Sequence, residues 1–224
     1  MRGYKAMLFD LDDTLLNRDK AVEQMFQLIL EKCYEEDIKE STKNDMQQSF
    51  KDYDKRSYGI SDKTQVFESF FDEYPPNVRW PHRYSQDFWN ENFPQCFSID
   101  HNTIHIVNTI KMHVKVGIIT NGSTQRQKAK ILNTHLHHCF DTIIISEEVG
   151  FSKPDERIFE LALHKLNVRP EEALFVGDNI VKDIGGCQHA NMKGIWFNPH
   201  KIKNETEIKP YAEIRSFDRL LSYL

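Results

Sequence analysis

Short apolar segments alternate with amphipathic helical segments through the second half of the 224-residue chain. Strands are predicted at residues 114–119, 142–145, 173–176 and 194–197, where each apolar run is short. The spacing of apolar side chains between these runs predicts helices at residues 123–136, 156–166 and 180–190. Repeats of strand, helix and strand form a parallel sheet that helices cover on both faces. We therefore predict an α/β chain with a Rossmann-like, three-layer core.

A further strand is predicted at residues 6–9, an apolar run that ends at the segment Asp10-Leu11-Asp12-Asp13-Thr14. The residues that follow have a different hydrophobic pattern, because apolar side chains such as Val22, Met25, Phe26 and Ile29 recur at helical spacing. No strand pattern is evident up to residue 96. The chain is therefore predicted to consist of a core, residues 1–16 and 97–224, and an inserted all-helical domain, residues 17–96.

Composition excludes several classes of partner. The formal net charge is −5, from 29 Lys and Arg against 34 Asp and Glu, so the chain has no overall positive field for nucleic acid or an anionic membrane. Four cysteines without a CxxC pair indicate neither a zinc knuckle nor a redox site. The first residues do not resemble a signal peptide and no run reaches membrane-spanning length, so a reducing, cytoplasmic location is expected.

Polar residues follow the predicted strands at one edge of the sheet. Asp10 and Asp12 follow the first strand, Thr120 ends the second and Asp178 follows a third. Crowded carboxylates repel one another unless a proton or a cation is present, and hard oxygen ligands suit Mg²⁺. A lone Asp-x-Asp is weak evidence, because acids also cap helices and occupy turns, but its conjunction with other polar strand ends predicts a site.

Four ordered motifs resemble those of the haloacid dehalogenase-like (HAD) hydrolase superfamily, whose members are mostly phosphatases with an aspartate nucleophile. The four are Asp10-Leu11-Asp12-Asp13-Thr14, Thr120-Asn121-Gly122, Lys153-Pro154, and the segment from Gly177-Asp178 to Asp183. The first motif often has Gly where Asp13 stands here. The resemblance implies that residues 17–96 are a helical cap, although that insert carries no recognisable motif.

The resemblance also implies roles for the acids. Asp10 would attack phosphorus and form an aspartyl phosphate, which divides one hydrolysis into two displacements. Asp12 would protonate the leaving oxygen and then accept a proton from water. Asp13 and Thr14 would shape the loop.

Metal and phosphate positions follow from the same resemblance. Mg²⁺ would be held by the Asp10 carboxylate, the Asp12 main-chain carbonyl and the Asp178 carboxylate, and Asp183 would bind it or orient its surroundings. Lys153 would place positive charge beside Asp10 and the transferring group. Thr120, with main-chain N–H groups near Asn121 and Gly122, would hold phosphate oxygens.

Several alternatives remain open. Dehalogenases of the superfamily generally lack the second acid, so Asp12 favours a phosphatase, while sugar-phosphate mutases share both acids. The segment Trp196-Phe197-Asn198-Pro199 and the stretch after Glu207 are similar to the pyrimidine 5′-nucleotidase branch, which implies a nucleoside 5′-monophosphate. A signalling receiver domain or a phosphate-binding protein without turnover is the alternative of another class. The expected partner is a small phosphorylated metabolite, and the chain is expected to be a monomer or a homodimer.

Two other groups of side chains are predicted to have no chemical role. Arg126, Lys128 and Lys130 read as the solvated face of a helix. Residues 135–139, with three His and one Cys, read as a link between a helix and a strand, because neighbours in one short segment cannot all converge on one metal ion.

Overall fold

The structure, a computed structural model, describes residues 3–35, 37–60 and 62–224. Two compact units are present. One comprises the chain up to Asn17 together with Ile99–Leu224, and the other comprises Arg18–Ser98.

The first unit is built on a six-stranded sheet. Its strands are β1 (Ala6–Phe9), β2 (Lys115–Thr120), β3 (Thr142–Ile145), β4 (Ala173–Gly177), β5 (Lys193–Phe197) and β6 (Ala212–Ile214). The order across the sheet is β3-β2-β1-β4-β5-β6, and each neighbouring pair is parallel. The parallel α/β prediction is confirmed. β6 was not predicted, because this three-residue edge strand is too short to show a periodic pattern.

Helices connect the strands of the first unit and form the second. The α-helices of the described residues are α1 (Arg18–Cys33), α2 (Glu40–Arg56), α3 (Thr64–Glu73), α4 (His82–Asn92), α5 (His101–Lys111), α6 (Thr124–Asn133), α7 (Ser146–Val149), α8 (Glu156–Leu166) and α9 (Gly186–His189). None of them, within the ranges described above, is long and apolar enough to cross a membrane.

One face of the sheet packs against α8 and α9. Leu8 of β1 and Phe175 of β4 belong to a fully buried cluster with Ile158 and Phe159 of α8. The rings of Phe159 and Phe175 meet edge to face with centroids 5.1 Å apart. Full burial of each large apolar side chain stabilises the fold by about 1.5–3 kcal/mol, so this cluster contributes strongly to holding the strands together.

The opposite face is covered by the C-terminal segment and the turn before β3. Successive side chains of a strand point to opposite faces, so Phe9 points away from the cluster that holds Leu8. Its ring stacks on Phe217 at 6.2 Å between centroids and meets Phe140 edge to face at 5.9 Å. A sheet buried on both faces explains why β1 reads as a continuous apolar run.

The helical unit has an aromatic core. Phe50 of α2 lies 5.3 Å from Phe70 of α3, and Phe70 meets Phe26 of α1 edge to face at 6.0 Å. Trp89 of α4 completes the contacts around Phe50 at 6.4 Å. These rings pack at the edge-to-face or tilted angles that aromatic pairs prefer, and they join the four helices into one core.

A buried carboxylate lies beside this aromatic core. Asp54 is 1% exposed and accepts hydrogen bonds from Arg18, of which the Nη2 contact is 2.9 Å. Lys63 Nζ lies 3.4 Å from the same carboxylate and donates to the Ser57 carbonyl at 2.8 Å. Because a buried charge is costly unless it is paired, these contacts make the group a structural element of the helical unit.

Candidate active site at the carboxyl edge of the sheet

Three carboxylates converge where β1 and β4 end. Asp10 follows β1, Asp178 follows the adjacent strand β4, and Asp183 lies one turn beyond Asp178. One oxygen of each lies within 4.8 Å of the others. Asp10 is 7% exposed and Asp183 is 1% exposed, so these acids lie in the interior and are not ordinary surface carboxylates.

The turn that contains Asp183 differs from the regular helix predicted over residues 180–190. Ile180–Gly185 form a π-helical turn, and α9 begins only at Gly186. The Asn179 side chain accepts from Val181 N and Lys182 N at 3.1 and 2.9 Å, while Asp183 Oδ2 accepts from Asn179 N at 2.9 Å. The wide turn leads the Asp183 carboxylate back toward the strand end, and π-helical turns are frequent at functional sites.

Gly177 leaves the space that Asp183 occupies. A Cβ atom at position 177 would lie 2.5 Å from the Asp183 side chain, closer than real Cβ contacts. We therefore expect Gly177→Ala to displace Asp183, to cost about 1–3 kcal/mol of folding free energy and to weaken Mg²⁺ binding. Urea unfolding and Mg²⁺ titration by calorimetry measure the two effects. Gly3→Ala, at a position with open space around the Cβ, is the matched control, and unchanged Mg²⁺ affinity in Gly177→Ala would contradict the expectation.

Lys153 is the cation among the acids. Its ammonium is hydrogen-bonded to Asp10 Oδ1 and lies 2.7 Å from Asp183 Oδ1. Burial alone would lower the pKa of Lys153, but the carboxylates of Asp10 and Asp183 raise it above its ordinary value, so the side chain stays charged. Lys153 Nζ also lies 5.5 Å from the centre of the Phe175 ring.

Asn121 fixes the main chain at Lys153. Its Nδ2 donates to the Lys153 carbonyl, and its Oδ1 accepts from Lys153 N, both at 2.9 Å. The pair of bonds resembles a short piece of sheet and anchors the loop that carries the lysine. The Asn121 side chain is thus engaged with Lys153, and the predicted phosphate contact through main-chain N–H groups near Asn121 does not depend on that side chain.

The acids outnumber the cation, and their pKa values reflect this. Burial raises the pKa of Asp10 to about 7 against the opposing charge of Lys153. Burial raises the pKa of Asp178 to about 8, and the charges of Asp10 and Asp183 add to the effect. Asp183 Oδ1 is buried without a hydrogen bond of good geometry, although Lys153 Nζ is close. Hard oxygen donors with excess negative charge fit a divalent cation such as Mg²⁺.

Metal-free protein should therefore lose stability as the pH rises from about 5 to about 8. The folded chain binds more protons than the unfolded chain in this interval, since the pKa values of Asp10 and Asp178 are raised in the folded state, and the free energy of unfolding falls with pH. Thermal melts across this range in EDTA measure the slope. Saturating Mg²⁺ should flatten it, and a melting temperature that rises with pH in EDTA would contradict the assignment of these pKa shifts.

Thr120 and Asp12 lie next to two side chains of α6. Gln127 Nε2 donates to Thr120 Oγ1 at 2.6 Å and to Asp12 Oδ2 at 3.1 Å. Lys130 Nζ donates to both oxygens of Asp12, at 2.8 and 2.7 Å. Lys130 is 5% exposed, so the prediction that it lies on a solvated helix face is wrong, whereas Lys128 is exposed. The buried face of α6 begins at Gln127, and both Lys130 and Ile131 lie on that face because they follow Gln127 by three and four residues.

Two loops of the site are held by hydroxyl groups. Gly122 N donates to Ser146 Oγ at 2.9 Å, so that N–H is already engaged, and Ser146 is a residue that sequence analysis did not find. Asp178 N donates to Thr14 Oγ1 at 3.1 Å, which ties the first motif to the fourth. Asp13 has a positive φ of 60°, which accounts for the glycine that the superfamily often has at this position.

The fold and these residues are those of a hydrolase family. Residues 7–197 match the haloacid dehalogenase-like hydrolase family, and the chain belongs to it. The glyceraldehyde 3-phosphate phosphatase of Pyrococcus furiosus is 30% identical over an alignment of 238 positions, which covers 100% of this chain and 94% of that protein. The pyrimidine 5′-nucleotidase PynA of Streptococcus pneumoniae is 28% identical over 99% of this chain and 95% of its own length.

A solved structure shares the whole fold. The HAD-hydrolase YfnB of Bacillus subtilis, whose crystal structure is described as bound to magnesium and as revealing interdomain movement, has a TM-score of 0.79 and 22% identity. The match covers 98% of both chains. At this identity the likeness supports the fold alone.

Proposed function

We propose that this HAD hydrolase is a Mg²⁺-dependent phosphomonoesterase that acts on a small phosphorylated metabolite. The observation that carries the proposal is the buried contact of Asp10 with Lys153, inside a group of acids with excess negative charge. A carboxylate in this position is oriented and held without being solvated, as a nucleophile must be. The phosphatase and nucleotidase names of the relatives support the same reaction class.

The first displacement forms an aspartyl phosphate. An oxygen of Asp10 forms a bond to phosphorus as the ester P–O bond breaks, and Asp12 gives its proton to the departing alkoxide. In the second displacement Asp12 takes a proton from water, whose oxygen attacks phosphorus and releases Asp10 and inorganic phosphate. The Thr120 hydroxyl and the Asn121 main-chain N–H would bind phosphate oxygens, and Lys153 would offset their charge.

Mg²⁺ would be held by Asp10, the Asp12 carbonyl and Asp178, with Asp183 bound directly or through water. The bound ion supplies the positive charge that lets an anionic carboxylate approach an anionic phosphate. Asp13 adds a fourth carboxylate whose charge raises the pKa of Asp178. This donor set consists of hard oxygen atoms, which suits Mg²⁺ better than a soft metal.

We further propose that residues 17–96, which correspond closely to the compact unit Arg18–Ser98, act as a substrate-selecting cap. A cap of this kind excludes water and chooses the leaving group. A nucleoside 5′-monophosphate or a triose phosphate is the substrate that the relatives suggest. The four cysteines are free thiols, which fits the reducing, cytoplasmic location that we propose.

The test is release of inorganic phosphate from a panel that contains UMP, dUMP, TMP, glyceraldehyde 3-phosphate, phosphoserine, phosphoglycolate and hexose phosphates. Reactions with Mg²⁺ are compared with reactions in EDTA. Release that requires Mg²⁺ supports the proposal, and the preferred compound identifies the leaving group. If 2-haloacids release halide while the panel stays inert, the chain is a dehalogenase instead.

A further inference from the structure

Helix α6 presents two polar side chains to the interior on one face. Gln127 and Lys130 are 2% and 5% exposed and lie three residues apart, together with the buried Ile131. Burying an ammonium group is costly unless it is paired, so the buried charge of Lys130 requires an anionic partner. That partner is the carboxylate of Asp12, whose side chain is itself only 14% exposed.

The two contacts constrain Asp12 differently. Lys130 Nζ is almost equally distant from the two Asp12 oxygens, at 2.8 and 2.7 Å, so it fixes where the carboxylate lies. Gln127 Nε2 bonds to Oδ2, at 3.1 Å, and so distinguishes the two oxygens and opposes rotation of the group. The same Nε2 lies 2.6 Å from Thr120 Oγ1, which links the orientation of Asp12 to the phosphate-binding hydroxyl.

We propose that Lys130 and Gln127 are positioning residues that set the orientation of the Asp12 carboxylate relative to Thr120. The inference deepens the proposed function and rests on it, because orientation of Asp12 matters when that group exchanges a proton with the leaving oxygen. Neither residue touches the phosphate in this scheme. Their contribution is the alignment of the group that exchanges protons with the leaving oxygen and with water, and misalignment of a catalytic group by about 1 Å can cost about a hundredfold in rate.

The primary test is Lys130→Met, which keeps an unbranched side chain only one atom shorter and removes the charge. We expect kcat/KM, which reports formation of the aspartyl phosphate and departure of the leaving group, to fall about 10- to 100-fold for the alkyl phosphate that the enzyme hydrolyses fastest. The loss should be smaller for p-nitrophenyl phosphate, whose leaving group needs little protonation. Lys130→Arg should recover part of kcat/KM, and Gln127→Met should show the same leaving-group dependence with a smaller loss.

Lys128→Met is the matched control. Lys128 lies two residues away on the same helix, is exposed and pairs with Glu148 at 2.7 Å on the surface, so its removal should leave both substrates unaffected. Thermal melts of every variant separate folding from kinetics, and Lys130→Gln replaces Lys130→Met if the latter does not fold. Equal losses for alkyl and aryl phosphates, or full activity in Lys130→Met, would overturn the inference.

Asp12→Asn distinguishes failure of the inference from failure of the proposed function. If Asp12→Asn keeps full turnover of alkyl phosphates, the acid–base role itself is wrong. If Asp12→Asn loses turnover while Lys130→Met does not, only the positioning role is wrong. In the double variant that combines Asp12→Asn with Lys130→Met, the second substitution should cause no further loss of turnover, as expected for residues that act as one unit. A crystal structure of Lys130→Met provides a readout without turnover, and an unmoved Asp12 carboxylate would also overturn the inference.

Discussion

Replacing Asp10 by Asn should reduce Mg²⁺-dependent phosphate release by at least about 10³-fold, because the amide oxygen is a poor nucleophile and the proposed attack on phosphorus requires the Asp10 carboxylate beside Lys153. Asn is nearly the same size as Asp, so the substitution should fit the site without strain. Phosphate release at saturating substrate measures the loss.

The covalent step has its own readout. Acid quenching of the wild-type enzyme during turnover, followed by mass spectrometry of peptides, should find a phosphoryl group on the peptide that contains Asp10. The Asn variant should carry none. Asp45→Asn, the same change at an exposed position of α2, is the matched control and should behave as wild type. Full turnover in Asp10→Asn, or a phosphoryl group on another residue, would remove Asp10 from the role proposed here.

Asp10→Asn should also stabilise the protein in EDTA. Burial raises the pKa of Asp10 to about 7, which means that the folded state disfavours the charged form at neutral pH. A neutral amide removes this cost and leaves fewer acids to repel one another. An active-site residue whose loss raises metal-free stability is the pattern expected when function, rather than folding, fixes a side chain.

The arrangement of the sheet could be predicted from the sequence because strands buried on both faces leave a simple signal. β1 and β4 are short, wholly buried apolar runs, and polar residues follow each of them. The position of Asp10 and Asp178 at the strand ends is therefore evident from the sequence pattern alone. β6 could not be found in this way, because only Ile214 of its three residues is buried.

Lys153 shows where local patterns stop being informative. It lies in a loop, and nothing in its own neighbourhood distinguishes it from a surface lysine except the resemblance to a family motif. Its place beside Asp10 depends on a pair of hydrogen bonds between its main chain and the Asn121 side chain, which is 32 residues away in the chain. Contacts of this kind are a property of the fold and not of any short segment.

The environment of Lys130 and the turn before α9 differ from the sequence predictions for different reasons. A run of basic residues on a helix is usually solvated, and that prior outweighed the one informative neighbour, Ile131. The π-helical turn arises because the side chain of Asn179 and the carboxylate of Asp183 both bond to main-chain N–H groups of the turn. Side chains that compete for main-chain groups override helical periodicity, which a pattern of apolar residues does not record.

Replacing Lys153 by Met should reduce phosphate release by about 10²–10³-fold, because the substitution removes a charged donor from the place where negative charge develops. The effect on metal-free stability should be opposite in sign to that of Asp10→Asn. Removing one partner of a buried ion pair costs about 3–5 kcal/mol, and here two carboxylates lose their cation. Protonation of Asp10 would remove one of the two unpaired charges and so would offset part of this loss of folding free energy.

Phosphate assays and urea unfolding, with EDTA and with Mg²⁺, measure both effects. Mg²⁺ should restore part of the stability of Lys153→Met, since a bound cation would offset the same acids, but should not restore activity. Lys165→Met, an exposed position on α8, is the matched control. Lys153→Arg should not rescue the reaction, because a wider planar group does not fit a site where the lysine is 4% exposed. Unchanged stability of Lys153→Met in EDTA would show that the acids do not depend on this cation.

The double variant Asp10→Asn with Lys153→Met tests whether charge balance, rather than packing, explains the two single effects. Asp10, Asp178 and Asp183 carry three carboxyl groups against one ammonium, so removing Lys153 alone leaves the largest imbalance, and removing Asp10 alone leaves the smallest. If charge governs stability, Lys153→Met should cost less free energy of unfolding in the Asp10→Asn background than in the wild-type protein, because one fewer carboxylate is then left without its cation. Residues in contact generally couple by about 0.5–3 kcal/mol, so a sum of independent effects would instead indicate that Lys153→Met acts through lost packing.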